Sequence, residues 1–272
     1  MEIRTILVNV EMDAFSPSLI KCASSLAKRF GAHLIGLSAG EPSPTLVGVE
    51  GAVATAEFYA QERADIEARL HAVEGQFRKT VPAGIDVSWR SYVEAPNRSL
   101  ASAARCADLI ITGSKTDRGS YLRSVDIGEL MLSAGRPVLV VGADIAAIKA
   151  ETIVIGWKDT KEARRAVSDA LPFLKAAGDV VAVTINEGDL GAEKASLEDL
   201  LAWLRRHEVK ARGDVYPARE GPADSLESLS RQIKADLIVT GGYGHSRLRE
   251  WLFGGMTRDL LATQAVNRFL SN

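Results

Sequence analysis

The 272-residue chain has only two cysteines, Cys22 and Cys106, too few for a disulfide framework. Each lies in a stretch that reads as helix, so both are read as small packing residues without a redox role. The formal net charge is −2 and no Lys/Arg cluster stands out, which leaves no electrostatic footprint for nucleic acid. No apolar run approaches the roughly 20 residues that span a bilayer. The opening MEIRTILVNVEMDAF lacks the basic start and continuous apolar core of a signal peptide, so a cytoplasmic protein without membrane contact is expected. Catalytic signatures are equally scarce. His33, His71, His207 and His245 are scattered, with no carboxylate or Cys at metal-ligand spacing, and there is neither a Walker A sequence nor a GxSxG elbow. The carboxylates of the stretches 55–79 and 192–206 alternate with Lys and Arg as on a solvated helix face, so no catalytic residue and no metal ligand is assigned.

What is present is a repeat. The segment ADLIITG, Ala107 to Gly113, returns as ADLIVTG, Ala235 to Gly241, with one Ile/Val exchange. Each copy is an apolar run ending in Gly and preceded by an amphipathic stretch, the order of a helix feeding a buried strand. The repeat divides the chain into two units, 1–143 and 151–272, joined by a short Ala-rich connection that predicts close packing and not tethering. In the first unit the strands Thr5–Val10, Ala32–Leu37, Ile85–Val93, Ala107–Gly113 and Pro137–Val141 alternate with helices, one near Asp126–Ala134, and Gly40–Gly51 reads as a loop. The second repeats the order with strands Ile153–Trp157, Val180–Ile185, Lys210–Tyr216, Asp236–Thr240 and a weak Val266–Leu270. Strands apolar on both faces, alternating with helices, predict an α/β fold: two tandem five-stranded, mostly parallel sheets, each sandwiched by helices.

Ligands of open parallel sheets bind beyond the carboxyl ends of the strands, where neighbouring connections leave in opposite directions. In the second unit the repeated strand runs into GGYGHSRLREWLFGGMT, Gly241 to Thr257. Glycines there allow close backbone approach, and the start of a helix near Met256 presents free amides, a cradle suited to phosphate oxygens. Glycines at strand ends also make tight turns without any ligand, and the residues alone leave both readings open. In the first unit Thr116 stands where the second glycine would be, and Ser124 and Val125 stand where the later pair would be, so that cradle is broken. Trp157, at a strand end beside the crevice, is placed to stack on a base, whereas Trp203 and Trp251 read as helix packing.

The pattern Gly241-x2-Gly244-x9-Gly254, after the fourth strand of a unit and before its last helix, resembles the nucleotide-binding motif of the universal stress protein family, and nearly the whole chain is similar to bacterial members with two such domains. The resemblance implies Rossmann-like halves of the adenine nucleotide alpha hydrolase type, arranged as an intramolecular pseudo-dimer that pairs Pro137–Val141 with Val266–Leu270. It implies an adenine nucleotide in the second half, ATP first with ADP or AMP as alternatives, with or without Mg²⁺. Its phosphates would lie against Gly241, Gly244, Gly254, Gly255, Met256 and Thr257, and its ribose and base near Gly156, Trp157, Lys158, Asp159 and Ile185. His245 and Arg247 would either face the phosphates or stay solvated. The chain departs from the family pattern at Gly255, where Ser or Thr is usual, at Lys158, where ATP binders carry an acid, and at Asn267, where Pro is usual. Further pairing into a homodimer is left open. Two other readings stand beside this one: a stress-related scaffold that does not use nucleotide, and a slow ATPase or nucleotide hydrolase.

Overall fold

The computed structural model describes residues 2–43, 56–114, 123–186, 189–217, 222–242 and 266–272. Ten strands build one sheet in the order β3-β2-β1-β4-β5-β10-β9-β6-β7-β8. The first half contributes β1 Thr5–Asn9, β2 His33–Ala39, β3 Val87–Tyr92, β4 Leu109–Gly113 and β5 Val138–Val141. The second contributes β6 Thr152–Gly156, β7 Asp179–Asn186, β8 Ala211–Pro217, β9 Leu237–Gly241 and β10 Asn267–Ser271. Within each half all pairings are parallel, and the halves meet where β5 and β10 pair antiparallel, Leu139 opposite Phe269. The two expected sheets are therefore one continuous sheet with an approximate twofold axis between β5 and β10.

Eight helices are described: α1 Pro17–Phe30, α2 Ala56–Thr80, α3 Pro96–Ala103, α4 Ile127–Ala134, α5 Lys161–Asp169, α6 Leu171–Leu174, α7 Leu190–Arg206 and α8 Pro222–Gln232. Local chemistry sets their ends. Ser16 caps α1 by accepting from the Leu19 amide at 3.3 Å, Pro17 occupies its first turn, and Gly31 closes it at φ 62°. Thr160 caps α5 in the same way, accepting from Ala163 at 3.2 Å, but Pro172 stands two residues past Ala170, and the helix that is continuous in the first half is here two pieces.

On one face of the sheet α1, α2, α5, α6 and α7 cover a single apolar core that runs through both halves. Phe30 of α1, Phe173 of α6 and Phe269 of β10 stack edge to face, with centroid separations of 5.2 and 5.7 Å, and join the halves through aromatic contact. On the other face the core is divided, one part under α3 and α4 and another under α8. The connection 143–150 packs against α1: Ile148 and Ala150 are buried, and Arg29 donates to the Lys149 carbonyl at 2.9 Å. Burial beneath it pushes the Cys22 thiol up to about 12, so Cys22 is an inert packing residue as expected. Cys106 differs from its reading. It lies exposed in a short 3-10 turn after α3, because the helix ends at Ala103 and its thiol turns back to that residue's carbonyl.

The repeated aspartates have the same structural role in both copies. Asp108 accepts from the Arg4 and Thr5 amides at 2.8 and 2.9 Å, and Asp236 accepts from the Glu151 amide at 2.9 Å. Each ties the start of the fourth strand of its half to the start of the first, which sets the parallel register from which both carboxyl edges are built.

Candidate functional site

In the first half β1 leads into α1 on one face and β4 leads towards α4 on the other, so a crevice opens between the carboxyl ends of β1 and β4. The registers place the equivalent crevice of the second half between β6 and β9, with Gly156 beside Val183 on one flank and Thr240 on the other. Gly156 to Asp159, Thr184 to Asn186 and Gly241 to Gly242 thus converge at one edge. Gly244, His245, Arg247, Gly254, Gly255, Met256 and Thr257 lie outside the described residues, as does Trp251.

The side chains at this edge do not all face the crevice. Trp157 is 8% exposed and donates from Nε1 to Ser196 Oγ at 3.0 Å. Strand alternation puts it on the face of Ile153 and Ile155, so its indole belongs to the core under α5 and α7 and is not a free platform for a base. Lys158 is exposed. Asp159 is held by Arg164 of α5, which donates to the same carboxylate oxygen from Nε at 3.0 Å and Nη2 at 2.6 Å. Ile185 packs into the smaller core with Tyr216 and Leu226. Thr184 is 4% exposed and its hydroxyl has no hydrogen-bond partner among the described residues, so one buried polar group at the strand edge lacks a mate.

Two glycines of the cluster have packing reasons. A Cβ at Gly241 would run into the backbone of Glu162 and Ala163, so this glycine admits the first turn of α5 against the sheet. A Cβ at Gly242 would strike Met131, which belongs to α4 of the first half, while the Gly242 amide donates to the Ser271 carbonyl at 2.8 Å. The loop beyond β9 therefore starts against the first half.

The corresponding edge of the first half is filled. Counting from the repeat aligns Val138 with Arg268, and hence Asp126 with Met256, Val125 with Gly255 and Ser124 with Gly254. Asp126 caps its own helix, accepting from the Glu129 amide at 2.9 Å, and its own amide donates to Asn97 Oδ1 at 2.9 Å. Amides that would receive a phosphate are thus already satisfied, and a carboxylate stands in front of them. Val125 is 1% exposed in the core. Arg123 donates to Glu62 Oε1 at 2.9 Å and lies 3.7 Å from Asp13, which also takes a bond from Arg69 at 2.9 Å. The Ser43 amide and hydroxyl hold Glu62 as well, and these bonds, with the Arg123 charge, keep its carboxyl below the usual range. Met12 and Arg123 pack over Gly40 at the end of β2. The sequence reading identified Ser124 and Val125 but missed Asp126 and Arg123. The pattern Asp126-x2-Glu129 before an apolar run was the available signal for the cap, whereas the Arg123 network joins residues of distant elements and had none. Thr116 lies outside the described residues.

Among the described residues no group of three His, Cys, Asp or Glu side chains could hold a metal ion, and no helix is long and apolar enough to cross a membrane.

No known protein family profile matches the chain. A stress response protein of Bacillus subtilis named NhaX is 32% identical over 71 residues, which are 25% of this chain and 43% of the relative, so the match spans less than half of that protein. In structure, a universal stress protein from Archaeoglobus fulgidus superposes with a TM-score of 0.70 at 14% identity, covering 100% of this chain and 97% of that one. A protein described as a universal stress protein from Pseudomonas aeruginosa superposes with a TM-score of 0.62 at 19% identity, covering 99% and 93%. From end to end the chain has the fold seen in universal stress proteins.

Proposed function

We propose that this chain, built throughout on the universal stress protein fold, is a tandem member of that family. In this reading the domains are 1–143 and 151–272, and the second takes an adenine nucleotide, ATP first, at the carboxyl edge of β6, β7 and β9. The observation that carries the assignment to one half is the contrast in what occupies the two edges. In the first half a self-capped helix start at Asp126 and the Arg123–Glu62 pair fill the crevice. In the second half the aligned positions are Met256 and Phe253, behind Gly254 and Gly255, so neither the blocking carboxylate nor the plugging guanidinium is present in the sequence. The proposed contacts are Gly244, Gly254, Gly255, Met256 and Thr257 for phosphates, with Gly241 shaping the turn and His245 and Arg247 beside it, and Gly156, Lys158, Asp159 and Ile185 for sugar and base. Trp157 contributes through its backbone and through packing beneath the site. Thr184 Oγ1 offers a further polar group to the ligand.

Titration calorimetry of ATP with Mg²⁺ into nucleotide-stripped protein tests this directly. One site per chain is expected; two sites would overturn the assignment to one half, and no heat at millimolar ATP would overturn nucleotide binding. The second reading, a stress-related interaction protein that does not use nucleotide, draws on Lys158 at a position where ATP binders carry an acid and on an indole turned into the core. The calorimetric result separates the two. A cytoplasmic location belongs to the same proposal.

A further inference from the structure

At the opposite, amino end of the strands, a groove of about 510 Å³ in the first half runs between α1 and the turn joining α2 to β3. This volume is in the range of small-molecule sites. Ser24 lines it, is 1% exposed, and its hydroxyl has no hydrogen-bond partner among the described residues. A buried hydroxyl left unpaired is costly, so a group that accepts from it has a physical role to fill. Lys21 and Lys28 also line the groove, one helical turn to either side of Ser24 and about 10 Å apart along the axis. Neither has an acidic partner within ion-pair distance among the described residues, where most ion pairs draw on arginine. Lys28, in the last turn, is accounted for by the helix dipole; Lys21, in mid-helix, is not.

The facing wall carries His33 and Asp86. His33 is held from both sides, Nδ1 to Asp86 Oδ2 at 2.8 Å and Nε2 to Ser88 Oγ at 2.8 Å. Ser88 does not line the groove, so this chain of contacts fixes the Asp86 carboxylate at the groove wall and does not activate a nucleophile. A groove with two ammonium groups and an unpaired hydroxyl along one side, and a positioned carboxylate opposite, matches a small ligand with an anionic head and hydroxyls on its body. In the second half, counting from the N-caps Ser16 and Thr160 puts Arg165 and Ser168 at the places of Lys21 and Ser24, but Asp169 at the place of Ser25 and Pro172 at the place of Lys28; Asp169 is already engaged by Ser271 at 2.8 Å and lies 3.9 Å from Arg165.

We infer that this groove is a binding site for a phosphorylated polyol of monosaccharide size, with the phosphate between Lys21, Lys28 and Ser24 and the hydroxyls towards Asp86. The test is an amide NMR titration of the full chain with glucose 6-phosphate, inorganic phosphate and glucose, followed at Ser24, Ser25, Gly31 and Gly84. Saturable shifts with glucose 6-phosphate are expected. Charge-assisted contacts predict a loss of about tenfold or more in affinity for Lys21→Met/Lys28→Met, several-fold weakening for Ser24→Ala, and no change for Gly244→Val. Without ligand, Ser24→Ala should fold normally, because it removes an unpaired group, so lost binding is not confused with lost structure. No saturable shift at these amides, or affinity indifferent to both the lysine and serine variants, would overturn the proposal. Phosphate binding as tightly as the sugar phosphate would overturn the polyol part. A loss with Gly244→Val would assign the shifts to the nucleotide crevice and overturn it as well.

Discussion

The two halves share a backbone plan and differ at their carboxyl edges. Asp108 and Asp236 do the same work at the same place, and the parallel registers of β1 with β4 and β6 with β9 superimpose residue on residue. At the opposite edge the first half has Asn9 donating to Thr112 at 3.2 Å, Glu11, a capping Asp126 and the Arg123 plug, where the second has Gly156, Lys158, Met256 and Phe253. Constraints that build the sheet are thus kept in both copies, while the edge that would meet a ligand is free to become either a site or a packed surface. The seam differs too. Asn267 and Arg268 take the places in β10 that Pro137 and Val138 hold in the first half, Arg268 lying opposite Val140, and the buried Arg268, whose charge burial disfavours, lies 3.5 Å from Glu227 of α8.

The largest expected effect tests whether one edge alone is a site. Gly244→Val should abolish ATP binding in calorimetry, while Thr116→Val and Asp126→Ala in the first half leave affinity and stoichiometry unchanged. If Asp126→Ala raised the stoichiometry to two, the cap alone would be closing the first edge, and the Arg123–Glu62 pair would be incidental.

The next test separates packing glycines from ligand glycines. Gly241→Ala places a methyl group against the α5 backbone and should cost about 3 kcal/mol in urea unfolding. At the equivalent Gly113 the nearest atom is Leu19 Cδ2 at 3.8 Å, ordinary contact, and Gly113→Ala should cost under about 1 kcal/mol. Equal losses would mean that α1 and α5 approach the sheet alike and that the difference in glycine use carries no information.

These two pairs also mark how far the sequence is legible. Alternation of apolar runs with amphipathic stretches located all ten described strands within two residues and showed that the second half repeats the first, because parallel strands buried on both faces leave a strong local signal. Even the weak terminal strand was found, although Asn267 and Arg268 interrupt it. The reason those polar residues are tolerated was not legible: Asn267 accepts from the Gly142 amide and Arg268 reaches Glu227, and both partners come from elsewhere in the chain. The same limit applies to the crevices. The glycines were visible, but that Gly241 serves α5, that Gly242 rests on Met131 and that Trp157 turns inwards all depend on contacts between elements distant in sequence.

A third comparison concerns the seam. Asn267 occupies the place of Pro137, accepting from the Gly142 amide at 3.1 Å and donating to the Asp236 carbonyl at 2.9 Å. Its side chain is 4% exposed and binds the end of β5 to the start of β9. Asn267→Ala should leave both groups unpaired and cost about 2 kcal/mol, whereas Pro137→Ala, which removes no hydrogen bond, should cost less. Should Asn267→Ala prove neutral in urea unfolding, water replaces the amide and the halves are held by the β5–β10 backbone pairing and the aromatic contacts.

The smallest effect belongs to the plug in the first half. Because its hydrogen bonds and Arg123 hold the Glu62 carboxyl below the usual range, Glu62 contributes stability above its unfolded value of about 4.3 and loses that contribution as pH falls through the lower folded value. Glu62→Gln should therefore destabilise the chain by less than about 1 kcal/mol at pH 7, given solvent screening. That deficit should shrink towards zero as the wild-type carboxylate is protonated below about pH 4. A deficit that is constant with pH would show that Glu62 holds Ser43 and Arg123 by hydrogen bonding alone. The plug would then be a packed polar contact, and the electrostatic difference between the two edges would rest on Asp126 and the absence of its counterpart at Met256.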